Sequence, residues 1–142
     1  MRIILTSFRD SVNWPRTHQY SVARWQPKNL GRRWPELQEL SARDSTGNPL
    51  RNLAPNVFRK KYEDRLAGVG GTTLHMLLER HLADAPNEDL ALLCWCNPSR
   101  PKQHEKLYCH RILIGYWIEE HFPDIEVVYA DGAENPVWER EQ

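Results

Sequence analysis

The sequence predicts an α/β protein, a small three-layer domain in which a mostly parallel sheet is flanked by helices. Three observations carry that expectation. Continuous apolar runs at residues 2–6 and 90–95 have the length and composition of strands buried on both faces. Apolar residues recur at helical spacing across residues 56–66, 72–81 and 108–122. Strand-like and helix-like segments alternate along the chain, the order expected of parallel strands joined by helical crossovers.

Taken in order, Arg2-Ile3-Ile4-Leu5-Thr6 reads as the first strand; it is too short and turns polar too soon for a signal segment. A polar stretch containing Pro15 runs to residue 19, and Tyr20-Ser21-Val22-Ala23-Arg24 alternates as a short second strand. Residues 25–55 are broken by Pro27, Gly31, Pro35, Gly47, Pro49 and Pro55, and only residues 35–40 look helical, with proline in the first turn. A segment this long, carrying Trp25 and Trp34, reads as an ordered functional loop. Residues 56–66 place Val57, Tyr62 and Leu66 on one helical face until Gly68, Gly70 and Gly71 stop them. Thr72 or Thr73 caps a second helix through His81, with Leu74, Leu77, Leu78 and Leu82 as its buried stripe. After the central strand at 90–95 come a loop and a helix over 108–122, which ends before Pro123. Residues 125–129 close the pattern as a strand. One domain therefore covers residues 1–130, and 131–142 form a polar tail anchored by Trp138. The arrangement is Rossmann-like, and in such sheets ligands gather beyond the carboxyl ends of the strands.

Composition narrows the class. The 142 residues suit a single domain with a real core, and no apolar run approaches the roughly 20 residues of a membrane span. Three cysteines, an odd number, fit a reduced cytoplasmic protein better than a disulfide framework. The net charge is zero, which argues against bulk attraction to nucleic acid. The two halves differ, however. Residues 1–66 hold 13 Lys and Arg against 6 Asp and Glu, and the remainder holds 6 against 13. Either the halves neutralise each other in the fold, or one face is basic and meets an anion.

The chain brings its reactive side chains to one edge of the expected sheet. Arg24 ends the second strand, Cys94 and Cys96 end the central one, and Cys109-His110-Arg111 opens the helix beyond it. At a helix N-terminus, backbone donors and the dipole favour both a thiolate nucleophile and a bound anion. Cys109 and His110 are thus the candidate catalytic pair, His110 moving protons, while Arg111 and Arg24 grip a phosphate or carboxylate through paired N–H bonds. Lys28 and the hydroxyl of Tyr62 are further candidate ligand contacts. The bland reading buries Cys109 and ties Arg111 into a structural ion pair. No cofactor is expected. Zinc is an alternative, since Cys94, Cys96, His104, Cys109 and His110 are suitable ligand types, but a C-x-C pair without a second close pair is poor spacing for it. Arg24, Trp25 and Lys28, followed by Arg32, Arg33 and Trp34, interleave charge and flat rings as single-stranded nucleic acid or a nucleotide base would need; a solvated loop is the plain alternative. Phosphate-loop, nucleophile-elbow and H-E-x-x-H motifs are absent.

Leu92-Leu93-Cys94-Trp95-Cys96, a loop, and Cys109-His110-Arg111-Ile112-Leu113-Ile114 together resemble the closing motif of the family catalogued as domain of unknown function 488. Ser21-Val22-Ala23-Arg24-Trp25-Gln26-Pro27 is similar to that family's second-strand motif, and residues 58–66 with Tyr62 to its middle helix. The resemblance runs from about residue 3 to residue 129. It implies a compact α/β fold found in intracellular bacterial, archaeal or phage proteins, marks Arg24, Cys109, His110 and Arg111 as the matching positions, and implies little about activity. Many relatives carry an acidic residue just after the Leu-Cys strand; here Cys96 and Asn97 stand there.

Three functions follow from these readings. The first is a binding or enzymatic pocket for a phosphorylated small molecule, nucleotide or nucleic acid, built from Arg24 and Cys109-His110-Arg111. The second is a non-catalytic nucleic-acid or protein-binding module using loop 24–34. The third is a small zinc or redox-thiol protein. Whether the chain is an enzyme, and its oligomeric state, are left open by the sequence.

Overall fold

The computed structural model describes residues 1–51, 53–95 and 109–130. Four strands, β1 (Arg2–Ser7), β2 (Thr17–Ser21), β3 (Asp89–Cys94) and β4 (Glu126–Tyr129), form one sheet in the order β2-β3-β1-β4. Every pairing is parallel. Three helices, α1 (Pro55–Leu66), α2 (Val69–Asp84) and α3 (His110–His121), complete the α/β arrangement.

The strand order explains where the helices lie. The connections from β2 to β3 and from β3 to β4 both step across the sheet in the same direction. Right-handed crossovers therefore put α1, α2 and α3 over one face. Side chains agree: Ile3 and Leu5 of β1 and Leu90, Leu92 and Cys94 of β3 share a core with Phe58, Tyr62, Leu66, Leu74, Leu78, Ile112 and Ile118. Burying each fully enclosed leucine or isoleucine there contributes about 2 kcal/mol. The β1 to β2 connection steps the other way, so it crosses the opposite face. It is short and contains only a 3-10 turn, Asp10–Asn13. That face is covered by irregular backbone carrying Phe8 and Trp34, which pack on Ile4, Ala91 and Leu93. The third layer is thus aromatic loop rather than helix.

Two glycines mark close approaches. In α3, a Cβ at Gly115 would stand 2.6 Å from both Leu5 and Tyr129, so the helix can press onto β1 and β4 only without one. In α2, a Cβ at Gly71 would stand 2.1 Å from the carbonyl oxygen of Leu66. The glycine run expected to precede the second helix is therefore its first turn, and α2 begins at Val69 rather than at a threonine cap.

Other boundaries move as well. β2 lies at Thr17–Ser21, not at residues 20–24. The last β2-to-β3 ladder bond runs from Val22 N to Leu93 O, and the chain then leaves the sheet. Residues 35–40 give only a 3-10 turn at Gln38–Leu40. Before it, Ser21 N and Leu37 N bond to Pro35 O and Ser21 O, at 2.8 Å each, so this segment covers the exposed edge of β2. The tail at 131–142 with Trp138, the loop at 97–106, Cys96, His104 and Tyr108 all lie outside the described residues. Among the described residues, no helix is long and apolar enough to cross a membrane.

Candidate functional site

The carboxyl ends of β1, β2 and β3 meet the first turn of α3. Cys109 is the N-cap residue of α3, in extended conformation. It and the next two residues are buried. Its sulfur lies 3.1 Å from that of Cys94 at the end of β3, closer than two thiols normally approach and longer than the roughly 2.05 Å of a disulfide. The Arg111 guanidinium lies 3.5 Å from the same Cys94 sulfur.

His110 is held from three sides. Its Nε2 is 2.8 Å from the carbonyl of Val22, which can only accept, so Nε2 carries the hydrogen. Nδ1 is then the basic nitrogen, and it faces the Cys109 sulfur at 3.9 Å. The Tyr62 ring meets the imidazole edge-on at 5.4 Å. Burial, together with the charges of Arg111 and Arg24, holds the imidazole below its ordinary pKa, against opposing contributions from Cys94 and the Val22 bond. The ring is therefore neutral at pH 7.

Arg111 is fully buried. Its charge reaches Asp10 in the crossover turn, whose carboxylate accepts from Thr6, from Asn13 at 2.7 Å and from Trp14 at 2.9 Å. Burial opposes the charge on Asp10, but these bonds and Arg111 outweigh it, and its pKa is lowered. Arg111 thus acts from the interior, as charge beneath the site rather than as a surface grip.

Arg24 is the outer group. It is half-buried, and its guanidinium lies over the ring of Trp25, 4.4 Å from the centroid. Burial and then the charges of Arg51 and Arg43 lower its pKa. Among the described residues, no carboxylate pairs with it. Glu36, a carboxylate of this segment, is engaged by Gln26, Gln38 and Arg33. The backbone around Arg24 is fixed by the same glutamines. Gln38 donates to the Arg24 carbonyl at 3.1 Å, and Gln26 bonds both the N–H and the carbonyl of Trp34. Trp34 in turn donates to Gln19 at 2.9 Å. On the far side, Arg65 of α1 donates to the carbonyls of Gln38, Glu39 and Asp44, which ties the irregular segment to the helices.

The sequence-derived candidates therefore divide. Arg24, Cys109, His110 and Arg111 come together, with His110 sensing both arginines. Tyr62 is fully buried and gives its hydroxyl to the Leu40 carbonyl at 2.5 Å, so its part is to support the His110 ring. Lys28 is exposed on the loop, and no described contact joins it to Arg24 or His110. Arg43, Arg51 and Trp95 escaped sequence reasoning. The first two were visible only as part of the positive balance of residues 1–66, and Trp95 read as the end of a buried strand. It is instead 45% exposed, with its indole N–H donated to the Trp25 carbonyl at 2.6 Å.

No grouping of three or more His, Cys, Asp or Glu that could hold a metal occurs among the described residues. No protein-family model, curated protein or solved structure matches the chain. What the fold and site define is a small parallel α/β protein with a basic carboxyl edge.

Proposed function

We propose that this protein binds a phosphorylated ligand, a nucleotide or nucleic acid, at the carboxyl edge of its sheet. Arg24 makes the direct contact, and Arg43 and Arg51 flank it. His110 and Arg111 lie beneath, and Arg111 adds positive charge there. The observation that carries the reading is that Arg24 stacks on the Trp25 ring at 4.4 Å, feels the positive charges of Arg51 and Arg43, and has no carboxylate partner among the described residues. Like charges gathered in this way repel, and a bound oxyanion turns that repulsion into attraction. A stacked guanidinium also keeps its N–H edges for an oxyanion. The resemblance noted at Arg24 and at Cys109-His110-Arg111 selects the same positions.

Calorimetric titration with inorganic pyrophosphate and with a nucleoside triphosphate tests this. The full chain binds both in a salt-dependent manner, and Arg24→Gln weakens binding by at least about tenfold, the loss of one charge-assisted bonded pair. Equal affinity in wild type and variant would remove Arg24 from the site.

The 3.1 Å approach of the Cys94 and Cys109 sulfurs favours a second reading, a redox-active thiol pair. A hydroperoxide would take two electrons and two protons from the thiols, leaving one disulfide, water and an alcohol. Intact mass after peroxide treatment falls by about 2 Da if that disulfide forms. An unchanged mass rules the reading out.

A further inference from the structure

Beside the cationic group stand two indoles that the fold leaves open to solvent. Trp25 is 56% exposed and Trp95 45%, whereas Trp34, in the same layer, is 5% exposed. An exposed tryptophan that is merely mobile would need no explanation. These two are fixed. The Trp95 N–H is donated to the Trp25 carbonyl, and its ring meets Phe8 edge-on at 5.6 Å. Trp25 carries the Arg24 guanidinium at 4.4 Å, and the Gln38 side chain holds the Arg24 carbonyl at 3.1 Å. The Trp95 indole is therefore tied to the Trp25 backbone across 70 residues of sequence, Trp25 in the turn after β2 and Trp95 just past the end of β3. Trp25 stands against Arg24 itself, and Trp95 is joined to the same residue pair through the Trp25 carbonyl.

Flat apolar rings and guanidinium groups side by side match a ligand that alternates flat apolar rings with phosphates. Base stacking on tryptophan tolerates every sequence, since each base has a π face, and arginines track the backbone between stacked bases. An acidic protein segment would satisfy the arginines and leave the indoles wet. A lone phosphate would do the same. Resting on the proposed phosphorylated-ligand site, we infer that its ligand is single-stranded nucleic acid, with Trp25 and Trp95 as stacking platforms for neighbouring bases and Arg24, Arg43 and Arg51 on the phosphates. Recognition is independent of sequence, because no base-edge donor or acceptor is part of the platform.

The test compares four probes by fluorescence titration of the full chain: an eight-nucleotide oligothymidylate, an abasic phosphodiester of equal length and charge, thymidine monophosphate, and polyglutamate. Oligothymidylate quenches tryptophan emission and binds at least about tenfold more tightly than the abasic chain, a single base–indole stack being sufficient for that factor. Trp25→Ala and Trp95→Ala each cost oligothymidylate about tenfold and leave the abasic chain unaffected, while Trp25→Phe and Trp95→Phe retain binding. Both positions are solvent-facing, and thermal melts of the variants verify that they fold. The oligothymidylate affinity falls with salt, and the slope of log K against log salt drops by about 0.7 when one phosphate-binding arginine becomes glutamine. Equal binding of the oligothymidylate and abasic chains overturns the stacking inference and leaves the anion site standing. Monophosphate binding as tightly as the oligomer overturns the strand in favour of a free nucleotide. Polyglutamate binding equally well overturns it in favour of an acidic protein. If neither these probes nor pyrophosphate bind, the phosphorylated-ligand reading fails as well.

Discussion

The two ends of the sheet handle charge in opposite ways. At the amino ends of the strands, carboxylates have side-chain partners within the chain. Arg2 donates to Asp89 through its backbone N–H, Nε and Nη2, the last at 2.7 Å, and His18 lies 2.6 Å from Glu88. Burial opposes ionisation of Asp89, yet the bonds and charge of Arg2 outweigh it and its pKa falls. At the carboxyl ends, positive groups accumulate. Arg24 feels the charges of Arg51 and Arg43, and His110 those of Arg111 and Arg24. Both ends obey the same electrostatics. Charge that finds its counter-ion inside the chain supports the fold, whereas Arg24 has no carboxylate partner among the described residues, which is what the proposed ligand site draws on.

The comparison is sharpened first at Arg111, a wholly interior cation of the carboxyl end. Arg111→Ala removes a large, fully buried side chain and the positive neighbour of Asp10. Urea denaturation then shows a loss of about 3 kcal/mol. A loss below about 1 kcal/mol would mean that the interior charge is dispensable to the fold.

A smaller effect is expected from His110 on acidification. Its folded pKa lies below the ordinary 6.5, so below that pH the unfolded chain takes up a proton that the folded chain resists. Proton uptake then favours unfolding. The His110 contribution is flat above pH 7 and falls as pH drops through 6.5 towards the folded value, at no more than about 1.4 kcal/mol per pH unit. Denaturation at pH 5.5 and 7.5 reads it, and the difference shrinks in His110→Gln. A variant with the same pH dependence as wild type would place the titration elsewhere.

The smallest effects set the two ends directly against each other. Asp89→Asn lowers stability by up to about 1 kcal/mol, the range for a partly exposed ion pair. Arg24→Gln stays within about 0.5 kcal/mol of wild type, because relief of repulsion from Arg43 and Arg51 offsets the lost contact with Trp25. If Arg24→Gln instead proved the more damaging of the two, Arg24 would be a structural cation and the contrast between the ends would dissolve.

How much of this was legible in the sequence varies by region for physical reasons. β1, β3, α1, α3 and β4 were read within a residue or two, because strands and helices that face a core on one or both sides carry their apolar pattern openly. β2 was misplaced by three residues. Its Thr17, His18 and Gln19 are polar, as an edge strand permits, while the apolar Val22 and Ala23 that drew attention lie in the turn beyond. α2 was begun late because glycine usually signals a break, and only the packing of Gly71 against Leu66 reveals it as helix. At the candidate site, Arg24 and Cys109-His110-Arg111 were expected at one edge from topology and from the family resemblance, and the structure places them near one another there, with His110 feeling the charges of both arginines. Arg43 and Arg51 approach through an irregular segment whose course is set by side-chain bonds from Gln26, Gln38 and Arg65. Such bonds leave no periodic trace in a sequence.

The position of β1 has a consequence for how the molecule comes together. It lies inside the sheet, and its neighbours are β3 and β4, so Ile3 pairs with Leu90 and Val127. Of the four strands it leaves the ribosome first, yet neither of its partners exists until most of the domain has been made. None of the pairings among the four strands is a hairpin that could form locally along the way. Assembly must wait for late, long-range closure, which makes this a slow-folding chain in which the apolar residues Ile3, Ile4 and Leu5 stay exposed through most of synthesis.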